Sequence, residues 1–298
     1  MITSNPFAEL AAVIPPAVMQ AYVVLMVILV AGGTILDMIH KKNAKYFFEN
    51  AKKAQANAKR SVGSGEKLGL MIKTVGKEVL TAGEFANSQR RISHLFMMYG
   101  FIVFVITSAI LIFAHTAQGA QTSAILPLLW HLSALSLAVG GYWFWFAIRV
   151  DLSSESRPLF AVSRADLFIL SLLVMSTFAL LWSFTQGMGA LGWLFFVLFI
   201  AGTTTLFGSV YWSKFAHMFF KPAAAYQKRI TRADGSAENL PTITRDDPAQ
   251  QQRHSLELLR DAPMDMGLGI KREAPNHYYS SQLINSIDRG SPCQLSFT

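Results

Sequence analysis

Positive charge in this chain is confined to alternate stretches between apolar runs. Five runs, each near or above the ~20 residues that cross a bilayer, divide the sequence into six connecting pieces. The first, third and fifth pieces contain no Lys or Arg. The second holds 12, the fourth 3, and the sixth 11 once Lys214, at the end of the fifth run, is counted with it; this accounts for all 26. Short basic loops resist translocation and stay in the cytoplasm. The expectation is an all-α integral membrane protein, a bundle of five transmembrane helices in a bacterial inner membrane. Its N-terminus lies outside and its C-terminus in the cytoplasm.

Only 15% of the residues are charged, less than a soluble domain of this length carries. The net charge of +8 sits in loops beside apolar runs, so it reads as a topology signal and an attraction to anionic lipid rather than a nucleic-acid surface. The single cysteine, Cys293, makes no internal disulfide. An iron–sulfur cluster needs about four cysteine ligands, so any such centre must belong to a partner. No basic stretch precedes the first apolar run, which is therefore not read as a cleaved signal peptide.

The expected spans are 17–38, 92–114, 124–148, 167–185 and 191–220. They make a membrane domain over 17–220, between an outer N-terminus (1–16) and a cytoplasmic tail (221–298). Within the inner loop 41–91, Leu68, Met71, Ile72, Val75 and Val79 recur at helical spacing while Lys67, Lys73 and Lys77 fall on other faces. That pattern predicts an amphipathic helix lying in the inner interface. The tail is polar and broken by six prolines, from Pro222 to Pro292, and is expected to be extended unless a partner orders it. Its stretch 267–279 is richer in apolar and aromatic residues than a plain linker.

Four of the seven histidines lie in or at the edges of spans, where ionisable side chains are costly and often functional. His94 begins span two and His217 ends span five, so both fall at the inner side. A haem b needs two neutral imidazoles from facing helices and cations near its propionates. Arg91 and Lys214 each lie three residues before one of these histidines, and on a helix that spacing shares a face. The alternative is that both are interfacial histidines. His115 and His131 form a second pair at the outer side, as quinone-protonating groups, ligands of a second haem or interfacial histidines. Tyr99 is a candidate hydrogen-bond donor to a quinone carbonyl. No nucleophile–base pair, phosphate loop or metal-binding spacing stands out. Asp37 and Asp166 read as helix-end residues.

The stretch from Leu68-Gly69-Leu70 through Gln89-Arg90-Arg91-Ile92-Ser93-His94-Leu95 to Tyr99-Gly100-Phe101 resembles the entry to span two in the five-helix membrane cytochromes b. That family includes the gamma subunit of respiratory nitrate reductase and the membrane subunits of quinone-interacting oxidoreductases. Ser163-Arg164-Ala165-Asp166-Leu167 and Ser213-Lys214-Phe215-Ala216-His217 fit the same pattern. The resemblance implies His94 and His217 as axial ligands of one haem b. In two-haem members the second ligand pair stands at positions that match Phe104 and Phe199 here. It also implies electron transfer from a cytoplasmic iron–sulfur/flavin oxidoreductase to the quinone pool. The lean five-span form is similar to membrane anchors found with adenylylsulfate reductase in sulfur-oxidising bacteria. A cofactor-free structural anchor remains the alternative, and a small-solute transporter is disfavoured by the lack of an evident repeat.

Overall fold

The structure is a computed structural model that describes residues 2–236 apart from 84, 86, 117–121, 152–156 and 216. The chain divides into two units, Met1–Pro241 and Thr242–Thr298; the account below concerns the first. The expectations for the tail beyond residue 236, including 267–279, lie outside the described residues.

Among the described residues every regular element is a helix. α1 (Pro6–Leu10) is short, and α2 (Pro16–His40) is the first of the long apolar helices. α3 (Asn43–Ala56) and α4 (Ser64–Thr74) follow, and Val75–Leu80 continues α4 as a π-helical turn. α5 (Ser88–Ala114) and α6 (Ile125–Trp143) come next, with a π-helical extension of α6 over Phe144–Ile148. A 3₁₀ turn (Arg164–Asp166) leads into α7 (Leu167–Thr185); α8 (Ala190–Gly208) and α9 (His217–Ala233) complete the series. Five of these are long and apolar enough to cross a membrane: α2, α5, α6 with its extension, α7 with its 3₁₀ turn, and α8.

Small residues set how closely the helices approach. A Cβ on Gly140 would stand 2.8 Å from Phe96 Cβ and 2.9 Å from the Ser93 carbonyl, so α5 and α6 touch backbone to backbone. Ser93 Oγ donates to the Gly140 carbonyl (2.9 Å) and Ser136 Oγ to that of Phe96 (2.8 Å), which fixes an antiparallel register. Gly202 plays the same part between α8 and α7, where a Cβ would meet Met175 N at 2.8 Å. Close approach of this kind is how helices associate where water supplies no driving force between them. α2 packs more loosely: along it only Met19, Met26 and Asp37 are buried. We call the end where α2 finishes and α5 starts the basic end.

Two boundaries differ from expectation. The fifth apolar run continues to Phe220, but α8 stops at Gly208 and the chain turns through Ser209–Phe215 before α9 begins at His217. Apolarity persists because the turn itself is buried, with Val210 and Phe215 in the core. The first part of the expected extended tail is instead helical, as α9. Pro222 lies in its second turn, and the helix is held from outside. Arg229 donates to Glu78 (2.6 Å), Arg60 Nε to the Ala233 carbonyl (2.6 Å), and the Lys59 and Arg60 amides to the Asp234 carbonyl (2.9 and 3.1 Å). α3, α4 and α9 thus form a layer at the basic end.

The N-terminal piece is more than a lead-in. Asn5 caps α1 by accepting from the Phe7 amide (3.0 Å), and its Nδ2 donates to the His115 carbonyl (3.1 Å). Phe7 is buried against Trp130 and Trp182. α1 therefore plugs the end of the bundle opposite the basic end.

Candidate functional site

α5 begins where Asn87 accepts from the Arg90 amide (3.1 Å), an N-cap that puts the basic Gln89-Arg90-Arg91 run in the first turn of the helix. This places His94 near the basic end of α5, with its ring 4.9 Å from that of Phe85. Arg90 (5.4 Å) and Lys221 (5.3 Å) also lie over the Phe85 ring. Lys221 is one turn past His217 on α9, so Phe85 is where the neighbourhoods of the two candidate ligands meet. His217 stands edge-on to Phe168 (5.7 Å), and its Nδ1 is hydrogen-bonded to the Lys214 carbonyl. A carbonyl can only accept, so Nδ1 carries the proton and Nε2 the lone pair. That tautomer suits a metal-bound imidazole.

The two cations expected beside these histidines are placed differently. Arg91 does share the α5 face with His94, but its Nε donates to the Thr81 carbonyl (2.7 Å). Tyr99 Oη donates to the Leu80 carbonyl (2.6 Å). These two acceptors end the π-helical turn that continues α4, and the last carbonyls of a helix are the ones left without internal partners. Arg91 and Tyr99 therefore tie the amphipathic α4 segment to α5. Lys214 sits in the turn before α9 rather than on a helix with His217, so the shared-face argument fails for it. Its backbone carbonyl is what meets the histidine. Arg90 and Lys221, which sequence spacing passed over, supply positive charge around Phe85 instead. Lys221 lies four residues past His217, and α9 had to be recognised as a helix before that spacing carried meaning.

At the opposite end, His131 is buried and both ring nitrogens are engaged. Nδ1 lies 2.7 Å from the Pro127 carbonyl and Nε2 2.6 Å from Ser183 Oγ. With Nδ1 donating and Nε2 accepting from the serine, His131 is a satisfied core histidine that ties α6 to α7. His115 is the C-cap of α5, and the Asn5 contact is made to its backbone carbonyl. Between the two ends, Phe104 and Phe199 face each other edge to face at 6.4 Å, both buried. Trp130 packs on Phe104 (5.2 Å) and Trp182 stacks on Phe199 (5.7 Å). Side chains fill the bundle at this level.

Charge at the basic end is organised by Arg149, which is 0% exposed. It pairs with Asp166 (3.0 Å) and donates to the carbonyls of Pro158 (2.8 Å) and Ala161 (2.6 Å). Asp166 also accepts from the Ser163 amide and hydroxyl, which closes a capping box at the start of α7. Asp37 pairs with Lys41 one turn on. Both aspartates are thus helix-end residues. In the α3–α4 layer, Arg60 holds Glu66 with two hydrogen bonds (3.0 and 2.5 Å). They lower the Glu66 carboxyl below its usual range and raise the Arg60 guanidinium.

No group of three or more His, Cys, Asp or Glu that could hold a metal ion occurs among the described residues; a bis-histidine haem needs only two protein ligands. Comparison with protein-family models, with curated proteins and with solved structures returns no match to this chain.

Proposed function

We propose that this chain is the membrane subunit of a quinone-linked oxidoreductase, an electron-transfer anchor with its basic end in the bacterial cytoplasm and its N-terminus outside. The observation that carries the reading is the convergence at the basic end. His94 and His217 come from separate helices at that end; the Phe85 ring lies against His94 and under Arg90 and Lys221, the latter one turn past His217, beside a layer of amphipathic helices that would offer a surface to a cytoplasmic partner. A haem b held by His94 and His217 supplies one-electron transfer when bound. Toward it, the Lys214 carbonyl orients the His217 ring. Arg90 and Lys221 bring the positive charge that propionates require. The partner is a cytoplasmic iron–sulfur/flavin oxidoreductase, because the chain's one cysteine builds no cluster. The sequence resemblance to the five-helix membrane cytochromes b points the same way, and the lean five-span form is similar to the membrane anchors found with adenylylsulfate reductase.

A second reading, a cofactor-free anchor for the same kind of enzyme, is favoured by one contact: the Phe85 ring packs directly on His94. A reduced-minus-oxidised absorption spectrum of the purified protein separates the two. We expect a b-type band with about one haem per chain, lost in His94→Ala and His217→Ala while both variants still insert. A normal band in both variants refutes the ligand assignment. No band in protein expressed with ample haem leaves the anchor.

A further inference from the structure

α9, which begins at His217, packs mainly on α3, α4 and the π-helical turn after α4 rather than on α5, which carries His94. Some other part of the chain must therefore set the two imidazoles relative to each other. The turn that precedes α9 is anchored in the bundle by Phe215, 2% exposed, whose ring meets those of Phe101 (6.1 Å), Phe168 (5.7 Å) and Phe207 (5.9 Å). One anchored point leaves a helix free to swing and to roll about its own axis. A second contact, well along the helix, is needed to fix its direction.

The π-helical turn supplies it. Arg229, about 18 Å past His217 along α9 at 1.5 Å per residue, donates to Glu78 of that turn (2.6 Å). The two side chains are only 18% and 22% exposed, so the bond is charge-assisted and weakly screened. The same turn is fastened to α5: the Thr81 carbonyl accepts from Arg91 Nε (2.7 Å) and the Leu80 carbonyl from Tyr99 Oη (2.6 Å). His94 lies between Arg91 and Tyr99 on α5. The Gly83 amide closes the turn on the Lys77 carbonyl (2.8 Å). Just beyond it, the Phe85 ring meets the His94 ring (4.9 Å) and lies under Lys221 of α9 (5.3 Å). One stretch of chain thus holds both helices that carry the candidate ligands. The bonds from Arg60 and from the Lys59 and Arg60 amides to the carbonyls of Ala233 and Asp234 tie the end of α9 to the segment between α3 and α4. They stay in place when the ion pair is removed, so α9 keeps its fold.

We propose that Glu78 and Arg229 are the positioning pair of the candidate site: they set the His217 ring relative to the His94 ring by fixing α9 to the turn that α5 holds. The pair acts at a distance, through the axis of α9, and the proposal rests on the ligand reading of His94 and His217. A hydrogen bond to a charged group holds such an equilibrium by roughly tenfold or more. Without it, a population with α9 swung away from the turn becomes measurable. The geometry asks for opposite charges at the two positions, whichever side bears which, so exchanging the two residues is the decisive variant.

The test compares Glu78→Gln, Arg229→Gln and the exchanged pair Glu78→Arg with Arg229→Glu in the full chain. Spin labels go on Gln89→Cys of α5 and Ala224→Cys of α9, both exposed positions, after Cys293→Ser removes the chain's one cysteine. We expect one narrow distance population in the parent protein. In each single variant a second, longer-distance population should grow roughly tenfold, and in the exchanged pair it should shrink again. The ferric haem spectrum is read on the same samples without labels. At equal haem content, the low-spin signal of two imidazoles should give way to a high-spin signal in the single variants and return in the exchanged pair. Unchanged distances in the single variants, no recovery on exchange, or altered distances with an unaltered low-spin signal each overturns the proposal. A parent protein without haem overturns the function proposed above and the ligand role with it. The distances, which need no haem, tell that outcome apart from a failure of the pair.

Discussion

Arg149→Met is the substitution whose cost the structure lets one work out most directly. The side chain is 0% exposed, its guanidinium lies 4.2 Å from the Trp145 ring centroid, and its partners are Asp166 and the carbonyls of the loop 158–161. Methionine preserves much of the packing but removes every donor. Asp166, 7% exposed, keeps its hydrogen bonds from Ser163 and is left with only the more exposed Arg157, at 3.9 Å, as countercharge. Breaking one side of a buried pair typically costs about 3–5 kcal/mol. Unsatisfied carbonyls cost roughly 1–3 kcal/mol each, though the loop can turn some toward water, so the total sits near 4 kcal/mol. At about 2–4 °C per kcal/mol for a chain of this size, the melting temperature in detergent should fall by roughly 10 °C. The diagnostic variant is Arg149→Met with Asp166→Asn. The asparagine still accepts from Ser163 but carries no charge, so the double variant should melt above Arg149→Met alone. A fall of less than about 3 °C in the single variant, or a double variant less stable than the single, would show that the pair is not what holds this loop.

Two further substitutions probe how the ends of the bundle are built. Ala82 has φ 47° in the turn after the π-helical segment, where the Gly83 amide closes back on the Lys77 carbonyl (2.8 Å). A left-handed alanine costs about 1–2 kcal/mol, so Ala82→Gly should raise the melting temperature, and an unchanged or lower value would refute the reading. His131→Leu should destabilise by roughly 1–3 kcal/mol through the orphaned Ser183 hydroxyl, seen as a lower melting temperature. It should leave any b-type band intact, and loss of the band with stability preserved would return His131 to the list of ligands.

The five long helices were legible because each needs a sustained apolar run long enough to cross a bilayer. The start of α7 was legible too, since Ser163 and Asp166 stand at capping-box spacing. The break after Gly208 was not: Val210, Trp212 and Phe215 carry the apolar pattern straight through a turn, and hydropathy does not distinguish a buried turn from a buried helix. α1 has five residues, too few to show a period. The partners of Arg91 and Tyr99 were not legible for a different reason: the carbonyls they bind, Thr81 and Leu80, lie 10 and 19 residues away, across a turn no pattern specifies. Nothing in the sequence around Arg149, which follows the third apolar run, marks it as buried. Its burial depends on a loop folding back over it, which is a tertiary event.

The arrangement of the histidines bears on where a quinone could react. Of the two expected at the outer end, His131 is fully engaged in joining α6 to α7, and α1 covers that end with Phe7 in the core. Phe104, Phe199, Trp130 and Trp182 fill the middle of the bundle with packed rings. On the proposed reading, then, redox chemistry is confined to the basic end, and electrons arriving from a cytoplasmic partner meet no second ligand pair deeper in the membrane. A quinone must come to that same end and take its protons from the same side. Turnover would carry no net charge across the bilayer, so quinone reduction by the complex in sealed vesicles should proceed at one rate whether or not an uncoupler is present. An uncoupler-sensitive rate would require an electron path past the packed rings of Phe104 and Phe199, and would refute a reaction confined to the basic end.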